Sequence, residues 1–146
     1  MRRDLDFLRE LLLEIEEKLP EEKELGIDDL VPLKIPDKPP VDVDDEAYDN
    51  YELEKAVYEA EYKKYAYYIQ LLLDSKFIVA VDASNVNYPE YHILRLTSAG
   101  CDYIDSIRDT RVWNKVKEKL STVGGSAALE IVKSIAISCI KGVLGI

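Results

Sequence analysis

The sequence predicts a mainly α fold with a β-hairpin (α+β), and three observations predict it. Apolar residues recur at helical spacing in several separate stretches of the chain. Two short β-prone runs, 77–81 and 91–96, flank a stretch of turn residues, which is typical of a hairpin. The 146 residues suffice for one domain with its own core, and 47% hydrophobic beside 33% charged residues is an ordinary balance for a folded protein.

The N-terminal third predicts one helix followed by an irregular arm. In residues 1–19, Asp4 is a candidate N-cap, and the apolar residues that follow at helical spacing are Leu5, Leu8, Leu12, Ile15 and Leu19. Residues 20–45 predict an acidic, Pro-rich arm or insertion, because five prolines interrupt any helix there. Four apolar residues of this arm could pack on the domain as a short extended piece: Leu30, Val31, Leu33 and Ile35.

Residues 46–122 predict a helical region, the hairpin and two further helices. The helical region runs from about Glu46 to Asp74 and carries a tyrosine-rich stripe, and its composition leaves open whether it is one helix or two. Thr97 or Ser98 is expected to cap the next helix, with another cap near Asp109. Residues 126–146 predict an apolar C-terminal helix behind a Gly124-Gly125 hinge.

This order of elements is that of a winged helix, in which the helix before the hairpin is the recognition helix and the hairpin is the wing. The stretches 96–109 and 112–119 resemble the bacterial and phage family called domain of unknown function 2513, and stretches 1–6 and 67–73 are similar as well. Two departures are Ser75-Lys76, where that family usually has Ala-Gly, and Tyr68, where it usually has His. The resemblance implies a winged-helix-like fold and no particular activity.

The charge of the chain speaks against a general polyanion binder. The net charge is −10, and residues 1–49 carry net −10 while residues 95–146 carry net +3. Phosphate contacts need a local surplus of Lys and Arg, so DNA is not favoured by charge. Two cysteines are too few for a disulfide framework, and no signal peptide or membrane-spanning segment is expected, which together predict a cytoplasmic location.

Few residues of the sequence suggest catalysis, so we expect no catalytic, cofactor-binding or metal-binding residues and no enzyme. The single histidine, His92, and Cys101 could form a nucleophile–base pair only if the fold brings them together. Three carboxylates at helical spacing, Asp102, Asp105 and Asp109, could hold a hard cation, but a solvated acidic face is the favoured interpretation. Gly124-Gly125-Ser126 lacks the strand and the Lys of a phosphate-binding loop.

Nucleic-acid contacts, if any, are expected at two places. The recognition helix offers Lys63, Lys64 and Gln70 among several glutamates. A second basic face would align along the two following helices, provided that they run on coaxially: Arg108, Arg111, Lys115 and Lys119. A solvated charged surface is the alternative and the favoured interpretation.

The last helix is apolar on most of its sides, with its polar residues in a narrow sector. A second copy of the chain could cover such a helix, so we predict a homo-oligomer, a dimer or larger, with these interface residues: Leu129, Val132, Ile135, Ile137, Ile140, Val143 and Leu144. Deep packing against the first helix is the alternative, and an interfacial membrane helix is a minor one.

These observations predict a non-enzymatic interaction or regulatory protein of bacterial or phage type, which acts through protein contacts and self-association. The alternative is a sequence-specific DNA-binding transcriptional regulator that works as a dimer.

Overall fold

The computed structural model describes residues 4–20, 23–123 and 129–144. Its helices and strands, in chain order, are α1 Leu5–Lys18, β1 Leu25–Gly26, α2 Ile27–Leu30, α3 Asp45–Asp74, β2 Ile78–Asp82, β3 Tyr91–Leu96, α4 Ser98–Ile107, α5 Thr110–Val123 and α6 Leu129–Leu144. Most described residues are helical and the strands form a single small sheet, so the predicted α+β class is confirmed.

The sheet is antiparallel, with β3 between β1 and β2. The predicted hairpin is present as β2 and β3, and Ile78 lies opposite Leu96. The third strand, β1, was not expected, and it places Leu25 opposite Ile93. β1 is therefore an edge strand of the sheet, and the paired side chains of Leu25 and Ile93 are both buried in the core.

Part of the predicted arm is folded into the domain. Residues 25–31 form β1 and α2, and the side chains of Leu25, Ile27, Leu30 and Val31 are buried. Leu30 and Val31 therefore pack on the domain as expected, although Leu30 belongs to a helical turn rather than to an extended piece. Leu33 and Ile35 are exposed, which contradicts the expectation that they also pack.

Helix α1 is the centre of the helical layer. The Asp4 carboxylate accepts the backbone N–H of Phe7 at 3.1 Å, which confirms the expected N-cap. The next turns bury Leu8, Leu12 and Ile15 almost completely. The buried guanidinium of Arg9 donates at 2.8 Å to the carbonyl oxygens of both Ile107 and Arg108, at the end of α4. Carbonyls at a helix end lack intrahelical donors, so Arg9 satisfies them and joins α1 to α4.

A side-chain cap starts each of the two helices that follow the sheet. The Thr97 hydroxyl accepts the N–H of Gly100 and caps α4. The Asp109 carboxylate accepts the N–H groups of Arg111 and Val112 at the start of α5. The chain therefore leaves one helix and starts another at Arg108–Asp109, as the sequence predicted.

Candidate interaction surface

Helix α3 is one uninterrupted helix of 30 residues, about 45 Å long, which settles the choice between one helix and two. It begins at Asp44, whose carboxylate accepts the N–H of Ala47 at 2.8 Å. Asp45 and Glu46 occupy the first turn, where negative charge interacts favourably with the helix dipole. No Gly or Pro lies within the helix to bend or break it.

The two halves of α3 differ in burial. From Tyr58 onward the helix presents a buried stripe to the core: Tyr58, Tyr62, Tyr65, Ala66, Tyr68, Ile69 and Leu72. The first half, residues 45–57, contains no buried residue. We call this half the overhang; at about 1.5 Å per residue it is about 20 Å long. It contributes nothing to the core, so its sequence is not explained by the stability of the domain.

The overhang combines negative charge with exposed apolar side chains. Residues 42–54 hold seven acidic and no basic side chains. Leu53 is 66% exposed, Val57 52% and Tyr48 44%. The ring of Tyr48 lies 6.0 Å from that of Tyr51. Single exposed apolar residues are normal, but several on one unburied helical segment make the overhang the candidate surface.

The overhang is anchored at its base to the loop between β2 and β3. The Tyr62 hydroxyl donates to the carbonyl oxygen of Pro89 at 2.8 Å, and its ring stacks on Tyr88 at 4.6 Å. Burial raises the pKa of Tyr62, so this hydroxyl stays protonated and remains a donor. The overhang therefore starts from a fixed position beside the loop between β2 and β3.

The predicted nucleic-acid residues of α3 are largely engaged inside the molecule. The ammonium group of Lys64 lies 4.2 Å from the centre of the Phe7 ring. Gln70 donates to Asp74 at 2.9 Å and accepts the hydroxyl of Tyr91 at 2.5 Å. Lys63 is exposed.

The predicted basic face along α4 and α5 is also partly neutralised. Arg108 makes a bidentate ion pair with Glu16, at 2.7 and 2.8 Å, and a further bond to Asp105. Arg111 pairs with Asp109 at 3.0 Å. Lys115 and Lys119 are exposed.

Helix α1 lies between the two predicted basic sets. On one side, the ring of Phe7 contacts Tyr65 and Tyr68 of α3. On the other side, Asp6 accepts the indole N–H of Trp113 in α5 at 2.7 Å. The seven predicted residues therefore do not form a single basic face.

The residues considered for catalysis or metal binding also have other partners. The His92 nitrogens lie 3.4 Å from carboxylate oxygens of Glu24 and Glu90, while Cys101 is exposed on α4. Among the described residues, no group of three or more His, Cys, Asp or Glu side chains could hold a metal ion. Gly124-Gly125-Ser126 lies outside the described residues.

The three carboxylates considered for a hard cation each lie near a basic side chain. Asp105 bonds to Arg108, Asp109 bonds to Arg111, and Asp102 lies 4.0 Å from Lys133. A basic neighbour competes with a cation for a carboxylate, so these residues form ion pairs within the domain.

The last helix packs mainly against α4 and α5, whereas the alternative that the sequence suggested was packing against α1. Val132, Ala136 and Cys139 are buried there, and Leu129 is buried as well. Leu129 and Val132 are therefore covered by their own domain. Ile135 and Ile140 are half-buried and Ile137 is exposed, whereas the side chains of Val143 and Leu144 lie outside the described part.

A family model described as hypothetical protein (DUF2513) matches residues 2–126 of the chain. The chain belongs to this family. An uncharacterised protein of Haemophilus influenzae is 29% identical over 79 residues, which cover 54% of this chain and 67% of the relative. No solved structure matches the chain significantly. The family match spans α1 to α5 and ends before α6.

The helices were also compared with the length and hydropathy of a membrane-spanning segment. Within the described ranges, none of the helices combines the length and the apolar character needed to cross a bilayer.

Proposed function

We propose that this member of the DUF2513 family is a non-enzymatic interaction or regulatory protein of bacterial or phage type, which binds another protein through the overhang of α3. The observation that carries the proposal is the half-burial of α3: the buried half belongs to the core, and the acidic, apolar overhang has no structural role in the domain. A cytoplasmic location belongs to the same proposal.

The arrangement of elements supports a winged-helix-like interpretation. Chain order α1, β1, α2, α3, β2, β3 and spatial order β1-β3-β2 resemble those of a winged helix, in which α3 would be the recognition helix. Fold alone does not fix function, so the side chains on α3 decide what this helix recognises.

Those side chains favour a protein partner over DNA. DNA binding gains affinity from Lys and Arg side chains that neutralise phosphates. Residues 42–54 carry seven carboxylates and no Lys or Arg, so the phosphates of DNA would repel this segment. The loop between β2 and β3, residues 83–90, contains no Lys or Arg either. The proposed wing and the start of the proposed recognition helix therefore lack the basic side chains that would bind the phosphates of a duplex.

Self-association is a secondary part of the proposal. It is supported by the exposed side chains of Ile131 and Ile137 on α6, which the packing against α4 and α5 leaves uncovered. A dimeric DNA-binding regulator remains the rival function, because a winged-helix layout often serves it.

A titration of labelled mixed-sequence duplex DNA with the full chain at low salt distinguishes the proposed protein-binding function from the rival DNA-binding function. We expect no saturable binding. Saturable binding that weakens steeply with salt, and that is lost in Lys63→Gln/Lys115→Gln, would show that the rival is right and the proposal wrong. Lys34→Gln/Lys38→Gln, which removes two exposed lysines between α2 and α3, is the control for the same change in net charge.

A further inference from the structure

One face of the overhang has the properties of a docking surface. Glu46, Asp49, Leu53 and Val57 follow one another at helical spacing and fall within about 80° of arc. All four side chains are exposed. We call these four residues the docking face; its N-terminal end is anionic and its C-terminal end is aliphatic.

The isolated overhang is poorly stabilised by its own sequence. Asp45 and Asp49 stand four residues apart, and Asp49 and Glu52 stand three apart, so carboxylates repel one another along the helix. An exposed helical segment of this length is marginal in water without tertiary contacts. Cations placed beside these carboxylates would relieve the repulsion and stabilise the helix at the same time.

Lys55, the one basic residue of the overhang, falls on the opposite side of the helix from Glu46 and Asp49. Arg108 and Arg111 are held by carboxylates of their own domain, and Lys117 pairs with Asp6 at 3.1 Å. A second copy would also bring its own acidic overhang close to the first. Charge complementarity therefore favours a different, basic molecule as the occupant of the docking face.

We propose that the docking face binds a segment of another protein in which Lys or Arg side chains alternate with apolar ones, an inference that rests on the proposed function. The basic side chains pair with Glu46 and Asp49. The apolar side chains cover Leu53 and Val57, which removes exposed hydrocarbon from water. The rings of Tyr48 and Tyr51 fall on the opposite side of the overhang and are not part of the docking face.

The test is a fluorescence anisotropy titration of the full chain with a dye-labelled amphipathic peptide of Leu and Lys. A scrambled peptide of the same composition is the peptide control. We expect Glu46→Gln/Asp49→Asn to weaken binding about tenfold at low salt, and less at high salt. Leu53→Ala/Val57→Ala should weaken it about tenfold at any salt. Because all four residues are exposed, circular dichroism should show the variants folded.

Three results would overturn the inference. The first is equal affinity of the wild type and both variants for the peptide. The second is an equal loss in the control Glu17→Gln/Glu118→Gln, which would show general charge attraction instead of a site. The third is a wild-type dimer in light scattering that Leu53→Ala/Val57→Ala dissociates, which would make a second copy the occupant. Failure of the proposed function would instead appear as saturable DNA binding.

Discussion

Lys76 follows α3 in the left-handed region of backbone space, with φ 61°. Its N–H donates to Leu73 and that of Phe77 donates to Leu72, which is the hydrogen-bond pattern of a helix ended by glycine. A side chain in this conformation costs about 1 kcal/mol because its Cβ crowds the backbone. Lys76 therefore stands where the resemblance to the family predicts Gly.

Replacing Lys76 should stabilise the protein. We expect Lys76→Gly to raise the free energy of unfolding by about 1 kcal/mol, measured by urea denaturation. Lys76→Ala removes the same side chain but keeps the Cβ, so it should bring no comparable gain. An equal gain in both variants would show that the lysine side chain, rather than the backbone conformation, is unfavourable.

At Gly100 the backbone of α4 lies against the backbone of Phe77, the residue that precedes β2. A Cβ built on Gly100 would lie 2.2 Å from the carbonyl oxygen of Phe77, a backbone atom that cannot move aside. That same oxygen accepts the N–H of Thr97, so displacing it would also disturb the start of α4. The contact explains why the first turn of α4 contains a glycine despite its poor helix propensity.

A pair of glycine substitutions tests this contact. Gly100→Ala should destabilise the protein by about 2–3 kcal/mol through overpacking, measured by chemical denaturation. Gly142→Ala in α6 is the matched control, because nothing lies within 4 Å of its Cβ, and it should be neutral or slightly stabilising. Similar effects of the two substitutions would contradict the close approach of Gly100 to Phe77.

At the scale of elements, ion pairs and hydrogen bonds fix α1 against α4 and α5. The indole N–H of Trp113, and then Lys117, hold the pKa of Asp6 below its usual value, and Arg108 does the same for the pKa of Glu16. Both carboxylates are more acidic in the folded chain than in the unfolded chain. Their contribution is therefore present above the unfolded pKa values, near 4, and is lost as the pH falls through the folded ones.

The free energy of unfolding should accordingly fall as the pH is lowered below about 4 to 5. We expect Asp6→Asn/Glu16→Gln to lower stability at neutral pH and to flatten this acid dependence, measured by urea denaturation at several pH values. Glu17→Gln/Asp37→Asn controls for the change in net charge. An unchanged slope in Asp6→Asn/Glu16→Gln would show that other carboxylates dominate acid unfolding.

The elements differ in how far local sequence predicts them. Periodicity and caps suffice for α1, the β2–β3 hairpin and the break at Asp109, because each is encoded within a few residues. The strand β1 and the turn α2 escape prediction because Leu25 and Ile27 acquire their structure only by pairing with β3 and closing the core. The same reason hides Arg9, whose carbonyl partners lie about a hundred residues away in sequence.

The candidate surface was only partly predictable. The acidic cluster and the tyrosine stripe are visible in sequence, and both point to α3. Burial is not visible: nothing local shows that Tyr58 begins the buried half while Leu53 and Val57 remain exposed. For α6 the opposite holds, since its apolar residues suggested an exposed interface and the fold buries several of them against α4 and α5.

At the scale of the whole molecule, the chain separates stability from recognition. The core lies among α1, the sheet, α4, α5, α6 and the buried half of α3. The overhang adds acidic and apolar groups that this core does not use. Substitutions at its exposed residues should cost little stability, because these residues are not part of the core.

Amide hydrogen exchange along α3 in the full chain, with and without the Leu/Lys peptide, tests this division most directly. We expect amides of residues 49–57 to exchange much faster than those of 62–74 in the free protein, and to become protected when the peptide binds. Slow, uniform exchange along the whole free helix would contradict the division of α3 into a buried half and an exposed overhang. Protection that appears only outside the overhang would contradict binding at the docking face.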